Sequence, residues 1–366
     1  MSQPLRVLHI VTYMGRGGLE TMIMNYYRNI DRSKVQFDFL VHRDFKADYD
    51  DEIERLGGRI YRISQLNPFS ISYYKELNKF FSENRYKIVH CHLDCMSAIP
   101  LSIAKKYNIP VRIAHSHNSS QDKNFKYIIK VFAKKFIPFF STDLFACSKV
   151  AGKWMFGNYN FSIFNNAIDT SKFIYNKFKE LEIRNQLNLT NNFVIGHIGR
   201  FNPQKNHDFL IDIFYEVYKS DNTAKLVLVG SGDLQKPIEN KVEKYGLTDT
   251  VLFLGSRDNV YEILQAFDVF VFPSLYEGFP VTSVEAQTAG LPCVLSNAIT
   301  KDCQITDNVK FLSLNDTPRK WAEEIFKFKD YKKVSCSEKI IKAGYDIIEN
   351  SKWLENYYLE MDNYNE

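Results

Sequence analysis

Short apolar segments alternate with longer helix-like segments along almost the whole chain, and this alternation is the strongest constraint on its fold. Continuous apolar runs bounded by turn residues are typical of strands buried on both faces of a parallel sheet. Such runs occur in two successive blocks, at 5–13, 35–42, 88–92, 111–117 and 144–148, and then at 193–200, 225–230, 251–255, 269–273 and 293–296. We therefore predict an α/β chain with two Rossmann-like, doubly wound domains.

The length and charge distribution of the chain agree with two domains. A chain of 366 residues exceeds what one hydrophobic core usually fills. A polar, asparagine-rich stretch within 165–192 separates the two blocks, so we predict an N-terminal domain at 1–168 and a C-terminal domain at 169–350. We predict a final helix at 351–366, and one possibility is that it crosses back to the first domain. Residues 1–170 carry 24 Lys and Arg against 15 Asp and Glu, whereas the remainder carries 23 against 28, which indicates different partners for the two halves.

Several classes of protein are excluded by simple features of the sequence. No apolar run approaches the roughly 20 residues that a membrane-spanning helix needs. The sequence starts on a strand-like segment without the apolar core of a signal peptide, and six cysteines are too few for a disulfide framework. We expect a cytoplasmic protein with free thiols. The basic half has no nucleic-acid-binding motif.

Glycines and cations follow the predicted strands, where ligands bind in open α/β sheets. The loop GRGG at 15–18 lets backbone approach a bound anion at the start of a helix, although a simple tight turn explains it too. Arg200 and Lys205 lie on one short loop and suit a diphosphate, with solvated surface charge as the alternative. Gly230 and Gly232 follow the next strand and permit close approach of a ligand.

The most informative stretch is 273–292, which reads as a strand end, a glycine-proline loop and a helix. Thr282 and Glu285 have the spacing of a capping box, which places the helix start near Thr282 and an anion site at the backbone N–H groups of 278–282. Glu277 and Glu285 flank that site. The alternative interpretation is a capping Glu285 beside an exposed Glu277.

In order and spacing, these motifs resemble the retaining GT-B glycosyltransferases of family 4. The resemblance covers nearly the whole chain and rests on the segments GRGGLE, FNNAIDTSKF, GRFNPQKNHDFLI, LVLVGSGDL, FLGSRDNVYEIL and YEGFPVTSVEAQTAGLP. It implies two Rossmann-like domains that face a cleft. It also implies transfer of a sugar from a nucleotide-diphosphate sugar, with UDP as the expected nucleotide.

The resemblance further implies a role for each candidate residue. Arg200 and Lys205 would neutralise the donor diphosphate, Glu277 would lie beside the transferred sugar, and Glu285 would accept hydrogen bonds from ribose hydroxyls. His117 is expected to touch the donor sugar, with His115 as the alternative. The remaining donor-binding candidates are Gly17, Gly18, Gly230, Gly232, Arg257 and the loop residues Gly278, Phe279, Pro280 and Val281. The expected catalytic set is Glu277, His117, Lys205 and Arg200.

Histidines at two predicted strand ends raise the question of a metal. His90 and His92, like His115 and His117, are two residues apart and so share a face of their strand, but their spacings match no standard zinc motif. His92 either lines an acceptor pocket or is an ordinary loop residue. Asp48 and Asp50 resemble a metal-binding pair, which we interpret as surface charge. We expect neither a metal nor another cofactor.

A basic amphipathic segment at 123–137 bears on the acceptor. It interleaves lysines with apolar residues at helical spacing, which fits either a helix on an anionic membrane surface or a helix packed on its own sheet. The first option would attach the enzyme to the inner face of the cell membrane.

We conclude from the sequence that the chain is a hexosyltransferase-type, retaining enzyme that acts on a glycan or lipid-linked acceptor in surface polysaccharide assembly. The alternatives are a non-catalytic sugar-nucleotide-binding module and a GT-B epimerase or phosphorylase. No nucleic-acid partner is expected.

Overall fold

The structure, a computed structural model, describes residues 3–119 and 127–364 and divides into two compact units. The first contains the described residues up to Ala167 together with those from Ile347 onward, and the second is Ile168–Asp346. The two divisions therefore fall at 167/168 and 346/347, whereas the sequence pattern places them at 168/169 and 350/351.

The first unit contains a seven-stranded sheet in which every neighbouring pair is parallel. Its strands are β1 (Leu5–Val11), β2 (Val35–Val41), β3 (Ile60–Arg62), β4 (Ile88–Cys91), β5 (Val111–Ser116), β6 (Asp143–Ala146) and β7 (Ser162–Ile163). Their order is β3-β2-β1-β4-β5-β6-β7. Because β1, β4 and β5 are neighbours and run in the same direction, the residues that follow them meet at one edge of the sheet.

The helices of this unit connect successive strands. They are α1 (Gly18–Asn29), α2 (Asp50–Arg55), α3 (Ile71–Glu83), α4 (Ala98–Lys106), α5 (Tyr127–Lys134), α6 (Ile137–Phe140) and α7 (Lys149–Phe156). In α1, Met22, Ile23, Tyr26 and Tyr27 form one apolar stripe and join the hydrophobic core formed with the sheet. This packing fixes the start of α1, and with it the glycine loop after β1.

The second unit repeats the architecture with six parallel strands. They are β8 (Val194–Ile198), β9 (Lys225–Val229), β10 (Val251–Phe253), β11 (Val269–Phe272), β12 (Cys293–Ser296) and β13 (Val309–Leu312), in the order β10-β9-β8-β11-β12-β13. The helices are α8 (Thr170–Phe173), α9 (Lys177–Gln186), α10 (His207–Ser220), α11 (Gln235–Lys244), α12 (Val260–Ile263), α13 (Val281–Thr288), α14 (Pro318–Phe326) and α15 (Ser337–Lys342). The predicted α/β class with two doubly wound sheets is confirmed.

The last helix, α16 (Ile347–Tyr364), packs on the first unit and begins before residue 351. Tyr358 is fully buried in the first core, and its hydroxyl lies 2.7 Å from His90 Nδ1 in β4. Lys34 Nζ lies 2.9 Å from Glu355 Oε1, which adds an ion pair at the edge of this contact. The first unit is therefore assembled from both ends of the chain.

The sequence predicts neither a membrane-spanning helix nor disulfide bonds. No helix within 3–119 or 127–364 is long and apolar enough to cross a membrane. The six cysteines are free thiols, and all except Cys336 are buried.

Candidate active site

The centre of the candidate site is an ion pair between Lys205 and Glu277. Lys205 ends a short 3₁₀ turn after β8, and Glu277 lies in the loop after β11. Because β8 and β11 are neighbours in the sheet, the two loops meet, and Lys205 Nζ lies 2.6 Å from Glu277 Oε1. The ammonium also lies 4.6 Å from the centre of the Phe272 ring. Glu277 is only 7% exposed, so Lys205 compensates a charge that burial would otherwise make costly.

Backbone-directed hydrogen bonds hold the two loops together. Leu275 N donates to Gln204 O at 2.8 Å, and Gln204 Nε2 donates to Tyr276 O at 2.9 Å. Asn206 Nδ2 donates to Pro273 O at 3.1 Å, and the Asn202 side chain accepts from Lys205 N at 3.2 Å. These bonds fix the backbones of both loops. The positions of Lys205 and Glu277 are therefore set by the loops and by the strands that carry them. Sequence reasoning did not identify Asn202, Gln204 or Asn206, although each is an amide residue in the loop that carries the two cations.

Gly230 and Gly232 have a packing role at the same sheet edge. A Cβ atom at Gly230 would lie 2.1 Å from Gly199 O, and one at Gly232 would lie 2.5 Å from Phe201 O. Both glycines have positive φ values, +140° and +155°, in a region that favours glycine. The loop after β9 therefore packs directly on the loop that carries Arg200.

Helix α13 starts one residue earlier than predicted, and the expected capping box is absent. Its N-cap is Pro280, and no side chain caps the helix. Thr282 is already inside the first turn, so the spacing from Thr282 to Glu285 does not have its capping geometry. Sequence reasoning missed this because Pro280 ends the preceding loop and presets the turn, with Ser283 N donating to Pro280 O at 2.9 Å.

Glu285 is consequently available for another role. Its side chain projects from α13, and burial raises its pKa from 4.5 to about 7. Within the described ranges, no cation or hydrogen-bond donor is paired with this carboxylate. An uncompensated, partly buried carboxyl group with a strongly shifted pKa is a feature typical of functional sites.

The other donor-site candidates occupy the same sheet edge. Arg200 is exposed in the loop directly after β8, and Arg257 is exposed in the loop after β10, where its Nε donates to Asn259 Oδ1 at 3.2 Å. Gly278, Phe279 and Pro280 are buried, with the Phe279 ring stacked on Tyr345 at 4.9 Å between centroids. Val281 begins α13. Since the Phe279 side chain is used in packing, only its backbone is free to meet a ligand.

The first unit contributes three further candidates, at the ends of β1 and β5. Gly17 is the N-cap of α1, and Gly18 is its first residue, with no atom within 4 Å of the position of a Cβ. His117 follows β5, and its Nε2 lies 2.9 Å from His92 Nδ1. Burial lowers the pKa of His117 to about 3, so its imidazole is neutral at pH 7.

His117 belongs to a group of five histidines that sequence reasoning identified only in part. His9 lies directly opposite His90 in the register of β1 and β4, and its Nδ1 lies 3.1 Å from His92 Nε2. His90 Nε2 lies 3.1 Å from His115 Nδ1. The spacing of two residues within His90/His92 and within His115/His117 predicted that each pair shares a strand face. No such spacing involves His9.

The interpretation of Asp48 and Asp50 as surface charge is wrong for Asp50. Asp48 is exposed and accepts a hydrogen bond from Arg16 N at 3.2 Å. Asp50 is only 3% exposed, forms an ion pair with Arg62 and accepts from Ala47 N at 3.0 Å. Its role is to hold the start of α2 against β3.

Part of the basic segment 123–137 can be described. Residues 123–126 lie outside the described residues. None of the residues of α5 is buried, and Ile128, Phe132 and Phe139 are 76%, 63% and 61% exposed. For residues 127–134, the structure therefore does not show the apolar stripe of α5 buried on its own sheet.

Comparisons with known proteins identify the family of the chain. Residues 16–172 match the family model described as Glycosyltransferase Family 4, and residues 179–346 match the model for Glycosyl transferases group 1. The EpsF protein of Bacillus subtilis (strain 168) is 36% identical over 98% of this chain and 97% of its own length. The chain belongs to glycosyltransferase family 4.

Two further relatives are named for polysaccharide biosynthesis or for sugar transfer to a diphosphoundecaprenol-linked sugar. CapH of Staphylococcus aureus, named as a capsular polysaccharide biosynthesis glycosyltransferase, is 26% identical over 90% of this chain and 92% of its own. An Escherichia coli protein is 28% identical over 80% of this chain and 79% of its own, and is named UDP-Gal:alpha-D-GlcNAc-diphosphoundecaprenol alpha-1,3-galactosyltransferase. The chain is thus a glycosyltransferase related to enzymes of polysaccharide biosynthesis.

A solved structure supports the fold. HepE from Anabaena, crystallised with UDP-glucose, superposes with a TM-score of 0.80 at 17% identity, over 97% of this chain and all of its own. At this identity the likeness concerns the fold, which is GT-B.

Proposed function

We propose that this glycosyltransferase transfers a sugar from a UDP-sugar to a lipid-linked glycan acceptor with retention of the anomeric configuration. The observation that carries the proposal is the Lys205–Glu277 ion pair beside the N-terminus of α13. A diphosphate needs positive charge and N–H donors, and a sugar needs a hydrogen-bond acceptor close to that diphosphate. The loop after β8 offers the positive charge of Lys205, and the loop after β11 offers the carboxylate of Glu277, 2.6 Å away.

The roles of the individual residues follow from this arrangement. Lys205 and Arg200 would stabilise the negative charge that develops on the leaving diphosphate. The backbone N–H groups at the start of α13 would add to that stabilisation. Glu277 would accept hydrogen bonds from sugar hydroxyls, and Glu285 from ribose hydroxyls. Cationic side chains supply the charge, so the proposed transfer requires no metal.

The choice of UDP and of a lipid-linked acceptor draws on the relatives. The name of the E. coli relative contains UDP-galactose and a diphosphoundecaprenol acceptor, and HepE was crystallised with UDP-glucose. The alpha linkage in that name has the configuration that UDP-galactose itself carries, in keeping with retention. We extend both features to this chain.

The exposed face of α5 and α6 fits a lipid-linked acceptor. Ile128, Phe132 and Phe139 are exposed apolar side chains, and Lys130 and Lys134 lie among them on α5. Apolar side chains ringed by lysines partition into the interface of an anionic membrane, with each cation contributing about 1 kcal/mol. Attachment of this face would bring the enzyme to its acceptor at the inner surface of the cell membrane.

The test is a panel of UDP-, GDP- and ADP-sugars offered with a polyprenyl-diphosphate-linked sugar. We expect UDP-sugars to raise the melting temperature, because a ligand that binds only the native state stabilises it. One of them should be consumed only when the acceptor is present. The anomeric coupling of the product, read by NMR, reports retention. Inversion, or preference for GDP- or ADP-sugars, would contradict the proposal.

A further inference from the structure

The histidine cluster of the first unit consists of His9, His90, His92, His115 and His117. It draws its members from β1, from β4 and from β5, including the residues directly after β4 and β5. Five of the eight histidines of the chain are gathered here. His9, His90, His92 and His115 are at most 4% exposed, and His117 is partly exposed. So dense a group of imidazoles is costly to bury unless its polar atoms are satisfied.

Hydrogen bonding within the cluster leaves it incompletely satisfied. His9, His92 and His117 form a chain with nitrogen–nitrogen distances of 3.1 and 2.9 Å. Three neutral imidazoles carry one N–H each, and two of these protons fill the two bridges. The third must lie on His9 Nε2 or His117 Nδ1, leaving an N–H at one end and a lone pair at the other. Neither atom has a hydrogen-bond partner within 3–119 or 127–364.

A second branch of hydrogen bonds in the cluster runs from Tyr358 through His90 to His115, and among the residues that the structure describes it too ends on an unpartnered nitrogen. Tyr358 Oη lies 2.7 Å from His90 Nδ1, and His90 Nε2 lies 3.1 Å from His115 Nδ1. His115 Nε2 ends this branch and has no partner in the described part of the chain. Both branches therefore end on buried nitrogens that call for a further group.

A metal ion fits the chemistry and the distances of this cluster. Two sets of three histidines, both containing His92, place one ring nitrogen of each member within 4.8 Å of the others: His9, His90 and His92, and His92, His115 and His117. Zinc–nitrogen bonds of about 2.05 Å at tetrahedral angles separate two ligand nitrogens by about 3.3 Å. His92 and His117 are already 2.9 Å apart, so this pair needs to open by only a few tenths of an ångström.

We propose that His92, His115 and His117 bind one divalent transition-metal ion such as Zn²⁺ at the ends of β4 and β5. This set is favoured over the other because His117 is partly exposed, which gives an ion an access route. The fourth position would be open to water or another ligand.

The two remaining histidines then support the ligands. Metal-bound imidazoles usually donate their second N–H to a nearby acceptor. His92 would donate from Nε2 to His9 Nδ1, and His115 would bind through its unpartnered Nε2 and donate from Nδ1 to His90 Nε2. His90 in turn would donate to the Tyr358 hydroxyl. The ion would use the orphaned nitrogen of His115 and the lone pairs of His92 Nδ1 and His117 Nε2, whereas His9 Nε2 and His117 Nδ1 would each carry an N–H that the ion does not satisfy.

This inference does not depend on the proposed transfer reaction, and it gives His117 a different role from the contact with the donor sugar that the family resemblance implies. His115 and His117 lie at the end of β5 and His92 follows β4, so local spacing shows the two histidine pairs but not that ligands from both strand ends come together. The proposed reaction needs no metal, so the ion would brace the ends of two strands, and its test relies on binding and stability instead of activity.

The experiment uses the full-length chain without a histidine tag, stripped with a chelator and titrated with Zn²⁺ or Co²⁺. We expect about one ion per chain after gel filtration, visible Co²⁺ absorption of a tetrahedral site, and a melting temperature raised by about 5 °C or more at a 100-fold excess over Kd. His92→Phe and His115→Phe should lose the metal. His9→Phe should retain it with affinity lowered about 10- to 100-fold.

The control is His42→Phe, which removes a buried histidine of the same sheet that bonds Tyr73 and lies outside both sets. It should bind metal like the wild type. The proposal is overturned if the wild-type chain shows neither metal retention nor Co²⁺ absorption, or if His92→Phe binds as well as the wild type. Loss of metal in His9→Phe with retention in His115→Phe would overturn the choice of ligands. Melting each variant in chelator separates lost binding from lost folding.

Discussion

Lys205 Nζ and Glu277 Oε1 lie 2.6 Å apart although 72 residues separate them in the sequence. Their contact results from the parallel pairing of β8 with β11, which carries the two following loops to the same place. The paired strands and the hydrogen bonds between the loops fix the backbone positions from which the two side chains reach each other. Two charges with different expected roles, one towards the diphosphate and one towards the sugar, are therefore set side by side by the sheet.

Loss of either partner should abolish most of the activity. We expect Lys205→Ala and Glu277→Ala each to lower kcat/KM for sugar transfer by at least about 100-fold, the scale of losing one contact to developing charge. Each variant also removes the ion-pair partner of the remaining charged group and should lower the free energy of unfolding. Lys219→Ala, which breaks the exposed pair with Glu216, is the matched control. Near-native rates in both site variants would refute the site.

Glu285 should make stability depend on pH. Its pKa rises from 4.5 in the unfolded chain to about 7 in the folded one, so the folded state keeps a proton that the unfolded state releases. The stabilising effect is complete below pH 4.5 and is lost as the pH rises to 7, by about 3 kcal/mol at most. Glu285→Gln should flatten this dependence, as followed by urea unfolding between pH 4.5 and 8. The exposed Glu338→Gln should leave it unchanged.

The same carboxyl group should couple pH to nucleotide binding. Ribose hydroxyls donate to an ionised carboxylate, so the affinity for UDP should rise from pH 6 to pH 8 in the wild type. In calorimetric titrations, the affinity of Glu285→Gln for UDP should rise less with pH than that of the wild type. The rise that remains comes from the phosphates of UDP. Identical pH profiles for the two proteins would remove Glu285 from the ribose site.

Gly230→Ala should disrupt the donor site through the backbone. Its new Cβ would lie 2.1 Å from Gly199 O, so the loop carrying Arg200 has to move. We expect a loss of about 2 kcal/mol or more in unfolding free energy and weaker UDP binding. Gly246→Ala also places alanine at a positive φ, +67°, but has open space around it, and so it measures backbone strain alone. Equal effects in the two variants would show that packing against Gly199 is unimportant.

The exposed face of α5 should govern membrane attachment. We expect Lys130→Glu combined with Lys135→Glu to lower partitioning onto anionic vesicles about 30-fold, since at least about 2 kcal/mol of attraction is removed. Lys134 is left in place because its ammonium donates to Trp154 O. Phe132→Ser should weaken binding in the same flotation assay through lost apolar insertion. Reversal of two exposed lysines of the second unit, Lys236→Glu with Lys320→Glu, is the control. Unchanged flotation of the α5 variants would exclude attachment through this face.

The periodic part of the fold could be read from the sequence. Strands buried on both faces, such as β8 and β11, are continuous apolar runs, and the loops after them were located correctly enough to place Lys205 and Glu277. The strands that were not predicted are short or partly exposed: β3 has three residues, β7 is exposed at both positions, and the two middle residues of β13 are not buried. Such strands are stabilised mainly by pairing with a neighbouring strand, so their own sequences carry no clear strand pattern.

Contacts between distant segments were the other part that sequence could not supply. The Thr282–Glu285 spacing suggested a cap because spacing alone does not reveal where Pro280 turns the chain. The histidine cluster depends on the register of β1 with β4, and His9 has no signal of its own in the sequence. Asp50 looked exposed among acidic neighbours because its partner Arg62 is on another element.

The position of α16 has a consequence for how the protein is made. Tyr358 completes the core around β4, yet it leaves the ribosome only after the whole second domain has been translated. At about 5–20 residues per second, the first 167 residues wait roughly 10–35 s for their last helix. The domain that begins synthesis first is thus the one that finishes folding last, and a chain cut short after residue 346 would release a complete second domain attached to an unfinished first one.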